Sequence, residues 1–407
     1  MEFKKVKLGE ILKYKNGKKK PVQKGEFPVY GGNGIFDYSS DFNNENSIII
    51  GRVGAYCGSV YYCKDKCWIS DNAISATIKD KDNNDIKFFY YFLYDMDLNQ
   101  LRIGTSQPLL NQDILKNIDA VVFDTIIQRK ISNILSNLDS KIEINNKIIS
   151  NLESQAQAIF RSWFVDFEPF QDGNFVESEL GMIPEGWEVK SIGELLDFDI
   201  GGGWGKEKPQ EKYLIPAYVI RGTDIPNSKL GYFNMDNYRY HTESNLKNRR
   251  LQVGDIIFES SGGSTNQDLG RMLLVTDELL NEYNNDIICA SFCKLIRIND
   301  PSIRWFVYNL LEYSYRNKIL TKYEVKSTGI SNFSFTIFKD DFKIAVPNRK
   351  TMERYFNVTG NNINLSAKLG IQNTKLAEMR DALLPKLMAG EIDVSNIKIE
   401  GEEVKNE

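Results

Sequence analysis

Few side chains in this 407-residue chain could carry out bond-making chemistry, and their spacing argues against most of it. His241 is the single histidine, which excludes most acid–base and metal-nuclease constellations built on imidazole. Of the cysteines, Cys63 and Cys67 flank a Lys-Asp-Lys turn, while Cys289 and Cys293 lie in or near an apolar, strand-like run. Thiolates at such spacings are usual zinc ligands. No CxxC pair occurs, however, and His241 has no histidine partner, so these cysteines read as small apolar residues in strands and a turn. Gly201-Gly-Gly-Trp-Gly-Lys206 resembles a phosphate-binding loop only superficially. Ile200 stands where the first glycine should be, and Glu207 where a magnesium-binding Ser or Thr should be. Asp340-Asp341 reads as a turn, and no glycine fingerprint for a dinucleotide or for S-adenosylmethionine is found. These patterns describe a chain that binds rather than catalyses, with no catalytic or metal site.

The binding signal is positive charge beside polar, glycine-containing loops. The net charge is −4, so a nucleic-acid binder must concentrate its cations locally. Lysines crowd Met1 to Lys24, and further basic groups gather at Arg239, Lys247, Arg249 and Arg250 and at Arg316 to Lys326. Loops beside them offer the side chains that contact phosphates and base edges in the major groove. In the first half of the chain the candidates are Lys18, Lys19, Lys20, Asn33, Arg52, Tyr56, Asn72, Thr105, Ser106 and Gln107. In the second half they are Arg221, Arg239, Arg249, Ser261, Thr265, Asn266, Lys326, Ser327, Thr328 and Asn332.

These loops must be held by something, and the chain offers an internal repeat. Residues 1–123 read as a strand-rich mixed domain. The stretch 124–165 lacks Pro and Gly and carries a heptad seam through Leu138, Ile142, Asn145, Ile149 and Leu152, which predicts a long helix. Residues 166–187 hold Pro169, Gly173, Gly181, Pro184 and Gly186 without periodicity and read as a linker. The chain then starts again. Ser191-Ile-Gly-Glu-Leu-Leu196 echoes Lys7-Leu-Gly-Glu-Ile-Leu12, and residues 188–347 form a second domain of the same plan. A second helix is expected over 348–389, with Leu365, Leu369, Gln372, Leu376 and Met379 on its seam. Gly360 and Gly370 predict that it is less regular than the first. Residues 390–407 read as an acidic tail. The expected fold is α+β: two similar mixed globules separated by two long antiparallel helices, an intramolecular coiled coil with pseudo-twofold repeat. Asn145 and Gln372 either hydrogen-bond near its middle and fix register, or each faces solvent at an imperfect heptad position.

Four segments carry a family resemblance. Gly181-Met-Ile-Pro-Glu-Gly-Trp-Glu-Val-Lys190, followed by Gly193-Glu194, resembles the opening of the second target-recognition domain in specificity subunits of type I restriction–modification systems. Ser162-Trp-Phe-Val-Asp-Phe-Glu-Pro169 and Arg380-Asp-Ala-Leu-Leu-Pro-Lys-Leu-Met-Ala-Gly-Glu-Ile392 resemble the ends of that family's two conserved helices. Gly51-Arg-Val-Gly-Ala-Tyr-Cys-Gly58 is similar to a loop of its recognition domains. The resemblance implies a non-catalytic subunit in which each globule reads one half of a bipartite double-stranded DNA target. The helices would set the half-site spacing and dock two modification (methyltransferase) subunits that methylate adenine. S-adenosylmethionine, ATP and magnesium would sit on those partners and on restriction (endonuclease) subunits, with no cofactor in this chain. Two other readings compete: a self-contained DNA methyltransferase or nuclease, and a coiled-coil scaffold that does not touch DNA. The start of the chain has no signal-peptide core and no long apolar run follows, so a cytoplasmic, non-membrane location is expected.

Overall fold

The computed structural model describes residues 2–104, 108–262, 267–327 and 329–397. The chain divides into two compact units. One joins the chain up to Lys141 with the stretch from Leu376 onwards, and the other runs from Ile142 to Lys375. Each long helix contributes to both units.

The globular part of the first unit is built on a four-stranded antiparallel sheet in the order Leu12–Asn16, Ala73–Ile78, Ser47–Gly51, Val60–Cys63. The strand Ser47–Gly51 is buried throughout, as an inner strand covered on both faces should be. A second sheet places Phe27–Gly31 between Gly34–Ser39 and Trp68–Ile69, the latter pairing being parallel. Phe3–Lys7 pairs with Asp119–Phe123 and closes the globule.

The second unit repeats this order strand for strand. Its four-stranded sheet runs Leu196–Gly201, Cys293–Ile298, Ile256–Glu259, Met272–Leu274. Its three-stranded sheet places Ile215–Ile220 between Tyr238–His241 and Asp286–Cys289, the last again parallel. Glu188–Ser191 pairs with Lys343–Val346. The echoing motifs occupy the same place in each copy. Glu10 Oε1 accepts from the Lys7 amide at 3.1 Å and Glu194 Oε2 from the Ser191 amide at 2.6 Å. A Cβ on Gly9 would lie 2.8 Å from Lys116, and one on Gly193 3.0 Å from Lys339. The same edge is paired in both copies: Ser261–Gly262 joins Ile330–Phe333 and Glu324–Ser327 in a small sheet in the second, and Val53 and Ile103 both bridge Leu109 in the first. An aromatic-rich segment forms a helix in each copy, Ile86–Asp95 in the first and Arg304–Arg316 in the second.

The first long helix runs Thr125–Phe164 and the second Arg349–Met388. At about 1.5 Å per residue each is roughly 60 Å long. Asp124 caps the first by accepting from the Ile127 amide at 2.9 Å, and Asn348 caps the second by accepting from the Thr351 amide at 3.0 Å. Within each unit the helices are antiparallel. In the first, Ile127, Ile131 and Leu135 share a core with Leu384, Leu387 and Met388, and Arg380 Nη1 reaches Asp139 at 2.7 Å. In the second, Phe160, Trp163 and Phe164 pack on Tyr355.

The seam of the second helix differs from the one read from its leucines. Leu365 and Met379 are exposed, 45% and 53%, and Gln372 is exposed, while Thr359, Gly370 and Asn373 are buried. The helix turns its small and polar residues inward, because side chains of Gly, Ser, Ala and Thr let backbone approach backbone. At Gly370 this is decisive. A Cβ there would lie 2.7 Å from the Gly231 amide nitrogen, and Thr374 Oγ1 donates to the Gly231 carbonyl. Gly360 and Gly370 do not interrupt the helix. Among the first helix's seam residues, Asn145 and Ile149 are fully buried, and Leu138, Ile142 and Leu152 are half-buried. Leu369 and Leu376 are half-buried on the second.

Two other expectations are corrected. The segment 166–187 is folded, with a hairpin pairing Phe175–Ser178 to Gly181–Pro184, and Phe170 and Trp187 pack with rings 5.2 Å apart. The tail expected from residue 390 begins as core. Val394 is fully buried with the first globule's residues, and Lys130 Nζ donates to the Ser395 carbonyl at 2.7 Å. Among the described residues no helix is long and apolar enough to cross a membrane.

The two helical glycines should respond to substitution in opposite directions. Gly370→Val drives a side chain into the Gly231 backbone and should destabilise the protein by about 3 kcal/mol or more. A Cβ on Gly360 meets only the exposed Phe356 ring, so Gly360→Ala should be neutral or stabilise by up to ~1 kcal/mol through helix propensity. Urea midpoints of the two variants check both signs.

Candidate nucleic-acid interface

In the first globule the predicted loops converge where three chain segments cross. Gly17 is one anchor: a Cβ there would lie 1.9 Å from the Ser70 carbonyl oxygen, so only glycine lets the lysine loop pass so close to the 70–72 turn. The Lys18 amide then donates to the Ile69 carbonyl at 3.0 Å, and Trp68 Nε1 to the Lys18 carbonyl at 3.1 Å. Gly32 is a second anchor, its Cβ direction facing Tyr56, the Asn72 carbonyl and Gly51 at 3.5 to 3.8 Å. The Arg52 amide donates to the Asn72 carbonyl at 3.0 Å. Arg52, Tyr56 and Asn72 thus surround the Gly31-Gly32-Asn33 turn. Asn33, Tyr56 and Asn72 are exposed, as are Lys18 and Lys19. Lys20 is engaged with Asp37, so part of its charge is spent inside the protein. Thr105, Ser106 and Gln107 lie outside the described residues, as do Thr265, Asn266 and Thr328 of the second globule.

The second globule builds the same crossing. The Gly202 amide donates to Cys293 and the Gly203 amide to Cys289, both at 2.9 Å. A Cβ on Gly202 would lie 2.2 Å from the Ala290 carbonyl, as one on Gly17 would from Ser70. Arg221-Gly222-Thr223 takes the place of the Gly31-Gly32-Asn33 turn, and Ser260 and Ser261 take that of Arg52. Arg221 holds Asp224 through Nη2 at 2.8 Å and Nε at 3.0 Å. Burial works against the Asp224 carboxylate, but these bonds outweigh it and keep its pKa below the ordinary carboxylate range. Ser261 Oγ donates to Asn332 Oδ1 at 2.8 Å, and Lys326 and Ser327 lie on the strand paired with that of Asn332.

Two cations from the sequence list are turned to structural work. Arg239 is largely buried, 4.7 Å above the Trp204 ring and 3.0 Å from Glu207, and Arg249 Nε donates to the Gly201 carbonyl at 2.7 Å. Both brace the loop that carries Trp204. Each sits beside an aromatic face or an uncapped carbonyl that outcompetes solvent.

The structure also adds residues. A cleft of about 590 Å³ opens beside Arg221 and Ser261, lined by Trp204, Leu269 and Phe292. Beneath it Arg271 clamps Glu259 through Nη2 at 2.6 Å and Nε at 2.8 Å. Phe292 was recoverable from the repeat: it stands where Asn72 stands, and Asn72 was already a candidate.

The cysteines and His241 are buried structure, whereas Asp340 and Asp341 are exposed and end the helix Phe335–Asp341 instead of forming a turn. Cys57, Cys63, Cys67, Cys289 and Cys293 are free and buried. Cys67 donates to the Cys63 sulfur, which lowers the Cys63 thiol to about 7 against the opposing effect of burial and pushes Cys67 up. Burial holds His241 below its usual value, so it is neutral at pH 7. Among the described residues no group of three or more His, Cys, Asp or Glu side chains is arranged to hold a metal.

The duplicated scaffold presents polar and basic loop tips, while its cysteines and His241 are buried. The family described as the type I restriction modification DNA specificity domain matches residues 1–154. The specificity subunit of type I restriction enzyme MjaIX from Methanocaldococcus jannaschii is 26% identical over 335 residues, 78% of this chain and 71% of that protein. The HindI specificity subunit from Haemophilus influenzae is 24% identical over 348 residues, 72% of each. The fold is shared with the S subunit of a type I restriction-modification system from M. genitalium, at TM-score 0.59 and 18% identity over 95% of this chain and 96% of that one. Residues 1–154 thus match the DNA specificity domain of type I restriction–modification, and most of the chain is similar to specificity subunits of such systems.

Lys19 and Lys20 should separate experimentally. Lys19→Ala should weaken DNA binding about equally for all sequences and reduce the salt slope by about one. Lys20→Ala should do less, because Asp37 already shares its charge. Salt titrations of the assembled complex on cognate and unrelated duplexes read both effects, and a change in preferred sequence for Lys19→Ala would show that it contacts a base.

Proposed function

We propose that each globule of this chain reads one half of a bipartite DNA target, with the two long helices holding the half-sites at a set spacing. One observation carries the reading: the same three-segment crossing is built twice, with equivalent backbone hydrogen bonds and different side chains at the tips. A frame kept constant while its tips vary suits two readings of one duplex by one mechanism. Asn33, Arg52, Tyr56 and Asn72, with Lys18 and Lys19, serve the first half-site. Arg221, Ser261, Lys326 and Asn332 serve the second. Thr105, Ser106, Gln107, Thr265, Asn266, Ser327 and Thr328 remain candidates.

In this reading two modification subunits dock on the outward faces of the helices, where Ile144, Leu365 and Met379 are exposed. They bring S-adenosylmethionine and methylate adenine, while restriction subunits bring ATP and magnesium. The complex works in the cytoplasm, where the DNA is. Deleting this chain from a cell that expresses the modification subunits should erase one bipartite methyladenine motif from the methylome. An unchanged methylome would remove the proposal.

A further inference from the structure

The two reading crossings match bond for bond, and this fixes which residues stand at equivalent tips. Ser70 donates to the Tyr30 carbonyl at 2.9 Å, and Ala290 to that of Ile220 at 2.8 Å. Ala73 donates back to Ser70 at 3.0 Å, and Cys293 to Ala290 at 2.8 Å. The carbonyl of Asn72 accepts from Arg52 at 3.0 Å, and that of Phe292 from Ser260 at 2.9 Å and Ser261 at 3.0 Å. Asn72 and Phe292 are therefore the same position, held by the same frame. The frame is rigid in both copies, because each turn is pinned by neighbouring segments on two sides.

The chemistry at that position is opposite. Asn72 presents an amide, which pairs with donor and acceptor groups on a base edge. Phe292 presents a ring 59% exposed, with no hydrogen-bonding group. It stands at the rim of the cleft lined by Trp204 and Leu269, with Arg221 beside it. An exposed ring beside Arg221 and at a position the frame holds by two backbone bonds offers an apolar contact to whatever base edge lies against this surface. In the major groove the apolar feature of a base edge is the C5-methyl of thymine.

We propose that Phe292 is a specificity-determining residue that packs on a thymine methyl group in the half-site read by the second globule. This rests on the bipartite-reading function above. It also means that the two half-sites are read by different chemistry at equivalent positions: an amide in one, an aromatic face in the other.

Replacing thymine by deoxyuridine removes that methyl and nothing else. With the assembled complex and its methylated motif as target, each thymine of both strands is replaced in turn and the Kd measured. One replacement should weaken binding by about fourfold, the value of burying one methyl-sized group. Phe292→Ala should bind the unmodified site more weakly by a similar factor or more and be indifferent to that one replacement. Phe292→Leu should keep the sensitivity, and Asn72→Ala should leave it intact while weakening the other half-site. The proposal falls if no deoxyuridine affects the wild type, or if Phe292→Ala remains sensitive at the same position. A wedge between base steps would show as weakened binding by Phe292→Ala with no deoxyuridine effect, and that too overturns it. Absence of any bipartite methylation would instead overturn the function on which it rests.

Discussion

Asn145 lies fully buried in the helix seam of the second unit, its Nδ2 donating at 2.9 Å to both Gln372 Oε1 and Asn373 Oδ1, while Asn373 donates to Asn146 at 2.8 Å. A seam of leucines alone tolerates slippage, since any heptad offset buries similar area. An amide does not. Displaced by a heptad, these groups would face apolar neighbours, and each unpaired donor or acceptor would cost about 1–3 kcal/mol. The cluster therefore specifies register, at some expense in stability. In a subunit whose proposed task is to hold half-sites at a set spacing, register is the quantity to protect.

Close approach does the rest. The second helix faces inward with Thr359, Gly370 and Asn373 and leaves Leu365 and Met379 outside. Contact of Gly370 with Gly231 brings helix and loop backbones together, and Lys229, Glu312, Arg316 and Glu153 form an ion-pair chain nearby. The outward leucine and methionine are then surplus to the fold. They are the exposed side chains on which the proposed function seats the modification subunits.

The globules show the same economy. Gly17 and Gly202 solve one steric problem twice, allowing one loop to cross a turn at a distance that no side chain could survive. Once the crossing is pinned by backbone bonds, the tip side chains can differ between copies without altering it, which suits the proposed recognition role. That separation of frame from tip explains how Asn72 and Phe292 occupy one position with unlike chemistry.

The sequence by itself determined the duplication and both long helices, because periodicity, missing breakers and repeated motifs such as Lys7–Leu12 and Ser191–Leu196 are local signals that burial then reinforces; that Asn145 meets Gln372 rather than water was decided by packing. It also identified the loops, since Gly-rich basic stretches are compositionally distinct. Only the tertiary structure decided which face of the second helix turns inward: small residues win there because of what lies across the seam, and no periodicity of leucines reports the neighbour. Likewise, only packing turned Arg239 and Arg249 to bracing, folded the segment 166–187 and buried Val394. Each outcome depends on a partner far away in sequence, such as the Trp204 ring, the Gly201 carbonyl or the Trp187 cluster, and pairings of that kind are set by three-dimensional proximity rather than by the order of residues.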